Sequence, residues 1–163
     1  MSDLISKKEV SLRQIRRKLF LLGLIKIPLI FFVSPKIISI NSESCQVKIK
    51  LKRRTKNHLN SMYFGAMAVG ADVAAGMHAF YLSEISNCKI SLAFKSFGAE
   101  FYKRAETDII FTCEEGKKIM IMIEKSRLED QRINEIVEVK AMNSTNEVVA
   151  TFKMEISIKV LNS

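Results

Sequence analysis

With 163 residues, 48% of them apolar and 26% charged, the chain can build one domain with a real hydrophobic core, is too short for two, and is neither disordered nor low in complexity. Twenty-six Lys and Arg against seventeen Asp and Glu give a net charge of +9, which points to an anionic partner without choosing among phosphorylated cofactors, membrane headgroups and nucleic acid. Three cysteines, Cys45, Cys88 and Cys113, form no C-x-x-C pair and no zinc pattern with histidine, which argues against a disulfide framework or a metal site and fits a cytoplasmic setting.

The N-terminal stretch sets Lys7, Lys8, Arg13, Arg16, Arg17 and Lys18 ahead of the apolar run LFLLGLIKIPLIFFVSP. The order imitates a signal sequence. Lys26 and Pro28 split the apolar part, however, no small-x-small cleavage site follows, and neither half reaches the ~20 apolar residues of a membrane span. Leu12, Ile15, Leu19 and Leu22 recur at helical spacing, so residues 1–35 are read as a helical segment packed on the domain, with contact to a membrane surface as the lesser alternative. After Pro35 the period becomes two. A short strand at Ile37–Ile40 and a turn at Asn41–Ser44 lead to a strand in which Val47, Ile49 and Leu51 alternate with Lys48, Lys50 and Lys52.

A loop, RRTKNHLNS, then enters a helix from about Met62 to Leu82 made largely of Gly and Ala. Each glycine weakens a helix by ~1 kcal/mol relative to alanine, so Gly65, Gly70 and Gly76 imply close approach by another element, and a sheet wrapped around the helix supplies one. Strands follow at Ile90–Phe94, continuing through FGAEFYKRA, and at Ile109–Cys113. EEGKKIMIMIEKSRLEDQ is read as a helix. Gln131–Met142 and a long strand with Val148, Ala150, Phe152, Met154, Ile156, Ile158 and Val160 on one face are joined by the turn NSTN. The class is α+β, a curved antiparallel sheet around a central helix with an added N-terminal helix, and residues 1–163 are one domain.

Asp72 stands out within that helix. No Lys or Arg flanks it, and an unpaired carboxylate in apolar surroundings is costly, so it either reaches solvent or has a chemical task.

The order of elements and the loop-to-helix junction resemble the hotdog fold, and in particular the acyl-CoA thioesterases of the phenylacetate-degradation type and a related uncharacterised bacterial subfamily. The thioesterase signature N-x5-H-G-G-x6-[DE] is met here as N-x5-Y-F-G-x6-D, from Asn57 through Tyr63, Phe64 and Gly65 to Asp72, with the spacing kept and His-Gly replaced by Tyr-Phe. PLIFFVSPKIISINSESCQVKIKLKRRTKNHLNSMYFGAMAVGADVAAG and FKSFGAEFYKRAETDI extend the likeness to the subfamily.

The resemblance implies a thioester hydrolase. In it the backbone N–H of Phe64, helped by Gly65, would receive the carbonyl oxygen, Asp72 would be base or nucleophile, and Asn57 would hold the water or the carbonyl. Tyr63, His58, Lys103 and Arg104 would line the substrate site, the last two facing the phosphates of coenzyme A. Phe64 and Asp72 are eight residues apart, about 12 Å along a helix, so one chain cannot bring both to one carbonyl. Two antiparallel helices across a two-fold axis can, which calls for a homodimer or a dimer of dimers.

Each residue also has a plainer reading: Asp72 as a structural carboxylate, Asn57 as a loop or helix cap, His78 as a packing residue, Lys103 and Arg104 as a solvated strand end. The competing function is a binding module that holds acyl-CoA or lipid without turnover. Nucleic-acid binding has only the charge behind it, with no interleaved stacking aromatics and no Trp, and neither a metal nor a cofactor is expected beyond the coenzyme A moiety of a substrate.

Overall fold

The computed structural model describes residues 10–161. Lys7 and Lys8 of the N-terminal basic segment lie outside them. Helix α1, Leu12–Leu21, opens with a capping box in which the Gln14 N–H donates to Ser11 Oγ at 3.3 Å and the Ser11 N–H donates to Gln14 Oε1 at 2.9 Å. The expected single N-terminal helix is in fact two. A π-helical turn, Leu22–Lys26, separates α1 from α2, Pro28–Val33, which has proline in its first turn and ends at Ser34 in the left-handed region. Gly23 permits the close fold-back, because a Cβ there would lie 2.9 Å from the Phe31 backbone nitrogen. Ile15, Leu19, Ile30 and Val33 are the residues this segment buries.

Strands β1, Lys36–Ile40, and β2, Cys45–Ile49, are followed by α3, Phe64–Ile85, then β3, Lys89–Phe101, β4, Ile109–Cys113, α4, Gly116–Glu129, β5, Ile133–Met142, and β6, Val148–Leu161. They form one six-stranded antiparallel sheet in the order β1-β2-β4-β5-β6-β3. The sheet curves around α3, of whose 22 residues fourteen are buried on every side, as a central helix requires. The small residues explain the closeness: a Cβ at Gly70 would stand 2.4 Å from the Phe111 ring of β4. Helix α4 packs beside α3 over β5 and β6.

Three details depart from the sequence reading. Leu51 is outside β2, its N–H donating to Asp108 Oδ1 at 2.9 Å instead of to a neighbouring strand. On β6 the buried row holds except at Val148, which is exposed, while Ser157 on the opposite row is buried. On β3 Ile90 is buried, whereas Phe94, Phe97 and Phe101 are exposed, although Phe97 and Phe101 each touch the buried Phe152, because the strand is the outermost of the sheet.

Candidate functional site

The loop between β2 and α3 is held by short polar side chains. Thr55, buried, donates from Oγ1 to the Lys50 carbonyl at 2.8 Å and accepts the Lys52 N–H at 2.9 Å, and its own carbonyl accepts the Tyr63 N–H at 2.7 Å. Asn57 Oδ1 accepts from the N–H groups of Leu59 at 2.9 Å and Ser61 at 3.2 Å, and from Ser61 Oγ at 3.2 Å. Asn57 is thus a loop clamp, and its amide Nδ2 has no partner among the described residues. Tyr63, extended, caps α3 without a side-chain hydrogen bond, and Met67 is the first residue whose N–H finds a helical carbonyl, that of Tyr63 at 3.1 Å. The N–H groups of Phe64, Gly65 and Ala66 therefore have no acceptor among the described residues.

The first of these residues, Phe64, lines a cleft of about 570 Å³. Asn57, His58, Tyr63, Phe64, Lys103 and Arg104 all line it, so the structure gathers six of the residues singled out from sequence into one place. The Tyr63 and Phe64 rings pack on each other with centroids 4.7 Å apart, and Tyr63 lies so close over Gly65 that a Cβ there would be 2.6 Å from Tyr63 Cε1. Lys103 is not a free cation: it pairs with Glu147, whose carboxyl is held down to about 2 by hydrogen bonds from Lys103, Asn143 and Thr145. Arg104 is exposed and has no partner among the described residues.

Asp72 is elsewhere. It is absent from the cleft wall and sits two turns along α3, on the side facing β3, where Asp72 Oδ1, Leu92 Cδ2 and Phe94 Cζ all surround Gly76 at 3.7–3.9 Å from its missing Cβ. It makes no hydrogen bond or ion pair among the described residues, and burial pushes its carboxyl up from 3.8 to about 6. His78, one and a half turns further on, is buried. Its Nε2–H donates to the Asn41 carbonyl at 3.0 Å, and burial pulls its pKa down from 6.5 to about 4. It ties the β1–β2 turn to the helix through that nitrogen, while its Nδ1 is buried without a hydrogen-bond partner among the described residues.

Sequence reasoning passed over Met67, Phe101 and Tyr102, which also line the cleft, and Thr55, which braces the loop leading to it. Met67 was findable, since it follows Phe64 by three residues and so shares its face. The end of β3 was not, because nothing local says that this strand ends beside the start of α3.

Among known proteins, the model of a domain of unknown function, DUF4442, matches residues 16–160. The chain belongs to that family. No curated protein matches it. Solved structures do. A Pseudomonas aeruginosa protein of unknown function, named a probable thioesterase, has 16% identity and a TM-score of 0.77 over 96% of this chain and 100% of that one. A Haemophilus influenzae thioesterase has 10% identity and a TM-score of 0.66 over 96% of each chain. Zebrafish thioesterase superfamily member 2 has 12% identity and a TM-score of 0.65 over 94% of this chain and 100% of that one. At these identities the likeness is one of fold, and this DUF4442 chain has the hotdog fold.

Proposed function

We propose that the chain is a thioester hydrolase, an acyl-CoA thioesterase whose reaction centre is shared between two copies. The observation that carries this is the division of labour along α3. The start of α3, with the free N–H groups of Phe64 and Gly65, stands at a cleft that Phe64 lines and that holds no carboxylate, while Asp72 has no donor among the described residues and faces the free edge of the sheet. A second copy brought antiparallel along β3 would set the Asp72 of each chain toward the helix start of the other, and would cover Phe94, Phe97 and Phe101.

In that arrangement the Asp72 carboxylate takes a proton from water as its oxygen bonds to the thioester carbonyl carbon. The carbonyl oxygen, now negative, is received by the N–H groups of Phe64 and Gly65, and the thiolate leaves with the proton. In the single chain burial pushes that carboxyl up to about 6, still largely ionised at neutral pH, so its charge is available to a base. The Asn57 amide can orient water or carbonyl, and Arg104 and His58 line the path for coenzyme A phosphates. The free state of all three cysteines fits the cytoplasm as the place of work.

The specific observation for a non-catalytic acyl-CoA or lipid binder is the Tyr63–Phe64 pair, which narrows the approach to the helix start. One experiment decides: thiol release from a series of acyl-CoA chain lengths by the parent and by Asp72→Asn, with melting curves for both. Asp72→Asn is expected to fold and to lose ~10²-fold or more in turnover, Asn57→Ala less. An active parent whose Asp72→Asn variant keeps full activity overturns the assignment, and an inactive parent that binds acyl-CoA makes the protein a binder.

A further inference from the structure

The net charge of the chain comes from one region. Residues 10–56 hold twelve Lys and Arg against a single acid, Glu43, whereas residues 57–163 hold twelve against fourteen. The same region carries an apolar face that no other described residue covers. While Ile15, Leu19, Ile30 and Val33 pack inward, Leu24, Ile25, Ile27, Leu29 and Phe32 stand on the outside of the π-helical turn and α2, with Ile25 and Leu29 66% and 58% exposed.

Cations border that face closely. The Arg54 guanidinium sits 5.5 Å over the Phe32 ring. A cleft of about 340 Å³ between the helical segment and β1–β2 has Leu19, Phe20, Ile30 and Phe31 on one wall and Lys36, Lys48, Lys50 and Lys52 on the other, with Arg16 fixed among them by its Nε–H on the Ile37 carbonyl at 2.7 Å. Of these lysines Lys48 pairs with Asp108, which Lys50 reaches only at longer range, while Lys36 and Lys52 form no ion pair among the described residues. The face lies at the β1 edge, the far end of the sheet from β3.

From this juxtaposition we infer that the π-helical turn and α2 dock the protein on an anionic phospholipid bilayer, the aliphatic side chains entering the interface and the lysines of β1, β2 and the following loop meeting lipid phosphates. Aliphatic residues with no covering element among the described residues, bordered by cations that outnumber their carboxylates, have the make-up of an interfacial helix. A polyanion such as nucleic acid would satisfy the lysines and leave the aliphatics in water. No helix among the described residues is long and apolar enough to cross a membrane, so the contact is with the surface.

The test is co-sedimentation of the full chain with phosphatidylcholine vesicles, with and without phosphatidylglycerol. Anionic lipid is expected to raise the bound fraction about tenfold or more, and high salt to reverse the gain. Ile25→Glu with Leu29→Glu, both at exposed positions, should abolish binding with an unchanged melting curve, and Lys50→Glu with Lys52→Glu should do the same. Equal or absent binding to the two vesicles overturns the inference. So does binding that survives the Ile25→Glu, Leu29→Glu pair, which would be attraction by charge alone. Capture of dodecyl phosphate without vesicle binding would make the cleft a site for single amphiphiles. A parent that ignores vesicles but changes its sedimentation coefficient with that pair would show a second copy on the face; either result overturns the docking.

Discussion

The first turn and the middle of α3 are made of similar small and apolar residues, yet each leaves unsatisfied what the other lacks. At the first turn three N–H groups, those of Phe64, Gly65 and Ala66, await an acceptor beside an open cleft. In the middle the Asp72 carboxylate awaits a donor in apolar surroundings that push its pKa up to about 6. A helix can tolerate either defect, but a rigid rod keeps them about 12 Å apart whatever the rest of the chain does. Two complementary deficits at a fixed separation are what a site shared by two antiparallel copies requires, and this is why the proposed unit of function is a pair of chains.

The largest expected effect breaks that pairing from the other side. Phe64 is the first helical residue, and Tyr63 before it has φ −62° and ψ 136°, the extended conformation that a following proline favours. Phe64→Pro therefore deletes one N–H with little cost to the helix, since proline suits the first helical position. It should lower turnover by ~10²–10³-fold, whereas Phe64→Ala, which keeps the N–H, should not. Mixing unfolded Phe64→Pro and Asp72→Asn chains and refolding them together should restore roughly a quarter of the parent activity, because half of the dimers would be hybrids, each with one intact site of two. No recovery in hybrids verified by mass spectrometry would mean that each chain carries its own complete site.

The pattern of periods made the elements readable. The alternation in β2 and β6, the glycine and alanine run of α3 and the charged ends of α4 are local signals of burial, and burial is what the sheet and central helix impose. The loop clamp was half readable: Asn57 has the residue type for such a turn, while its three acceptor bonds depend on Leu59 and Ser61 folding back. Glu147 neutralises Lys103 from a turn 44 residues away, a pairing no local pattern encodes. The exposed row of β3 was also beyond sequence, because Phe94, Phe97 and Phe101 do not follow a period of two, and only the bulge between Phe94 and Ser96 sets them on one face, at the open edge of the sheet.

A second contrast concerns the glycines that frame Asp72. Gly70 is seated against the fully buried Phe111, with a would-be Cβ 2.4 Å from the ring, and Phe111 packs in turn on Phe152 at 6.2 Å. Gly70→Ala should cost ~1–3 kcal/mol in urea unfolding by overpacking. Around Gly76 nothing comes nearer than 3.7 Å, so Gly76→Ala should gain ~0.5–1 kcal/mol from helix propensity. Equal effects at the two sites would mean that the helix does not press on β4 as closely as the geometry says.

The smallest effect is a pH slope with opposite signs from two residues of the same helix. His78 has a folded pKa near 4 against an ordinary 6.5, so between those values the unfolded chain binds the extra proton and stability falls as pH falls. Asp72 has a folded pKa near 6 against 3.8, so in that window the folded chain binds the extra proton and stability rises as pH falls. Taking the chain from pH 7 to pH 5 should therefore cost about 2 kcal/mol through His78 and return about 1 kcal/mol through Asp72, the latter discounted for its partial exposure. Chemical melts at both pH values should show a shallow net loss for the parent, a steeper one for Asp72→Asn, and a reversed slope for His78→Gln. If a second copy supplies donors to Asp72, its carboxyl is no longer pushed up, its share of the slope shrinks at concentrations where copies associate, and the parent then follows the Asp72→Asn curve. A parent slope that is the same at every protein concentration would place Asp72 outside any shared site.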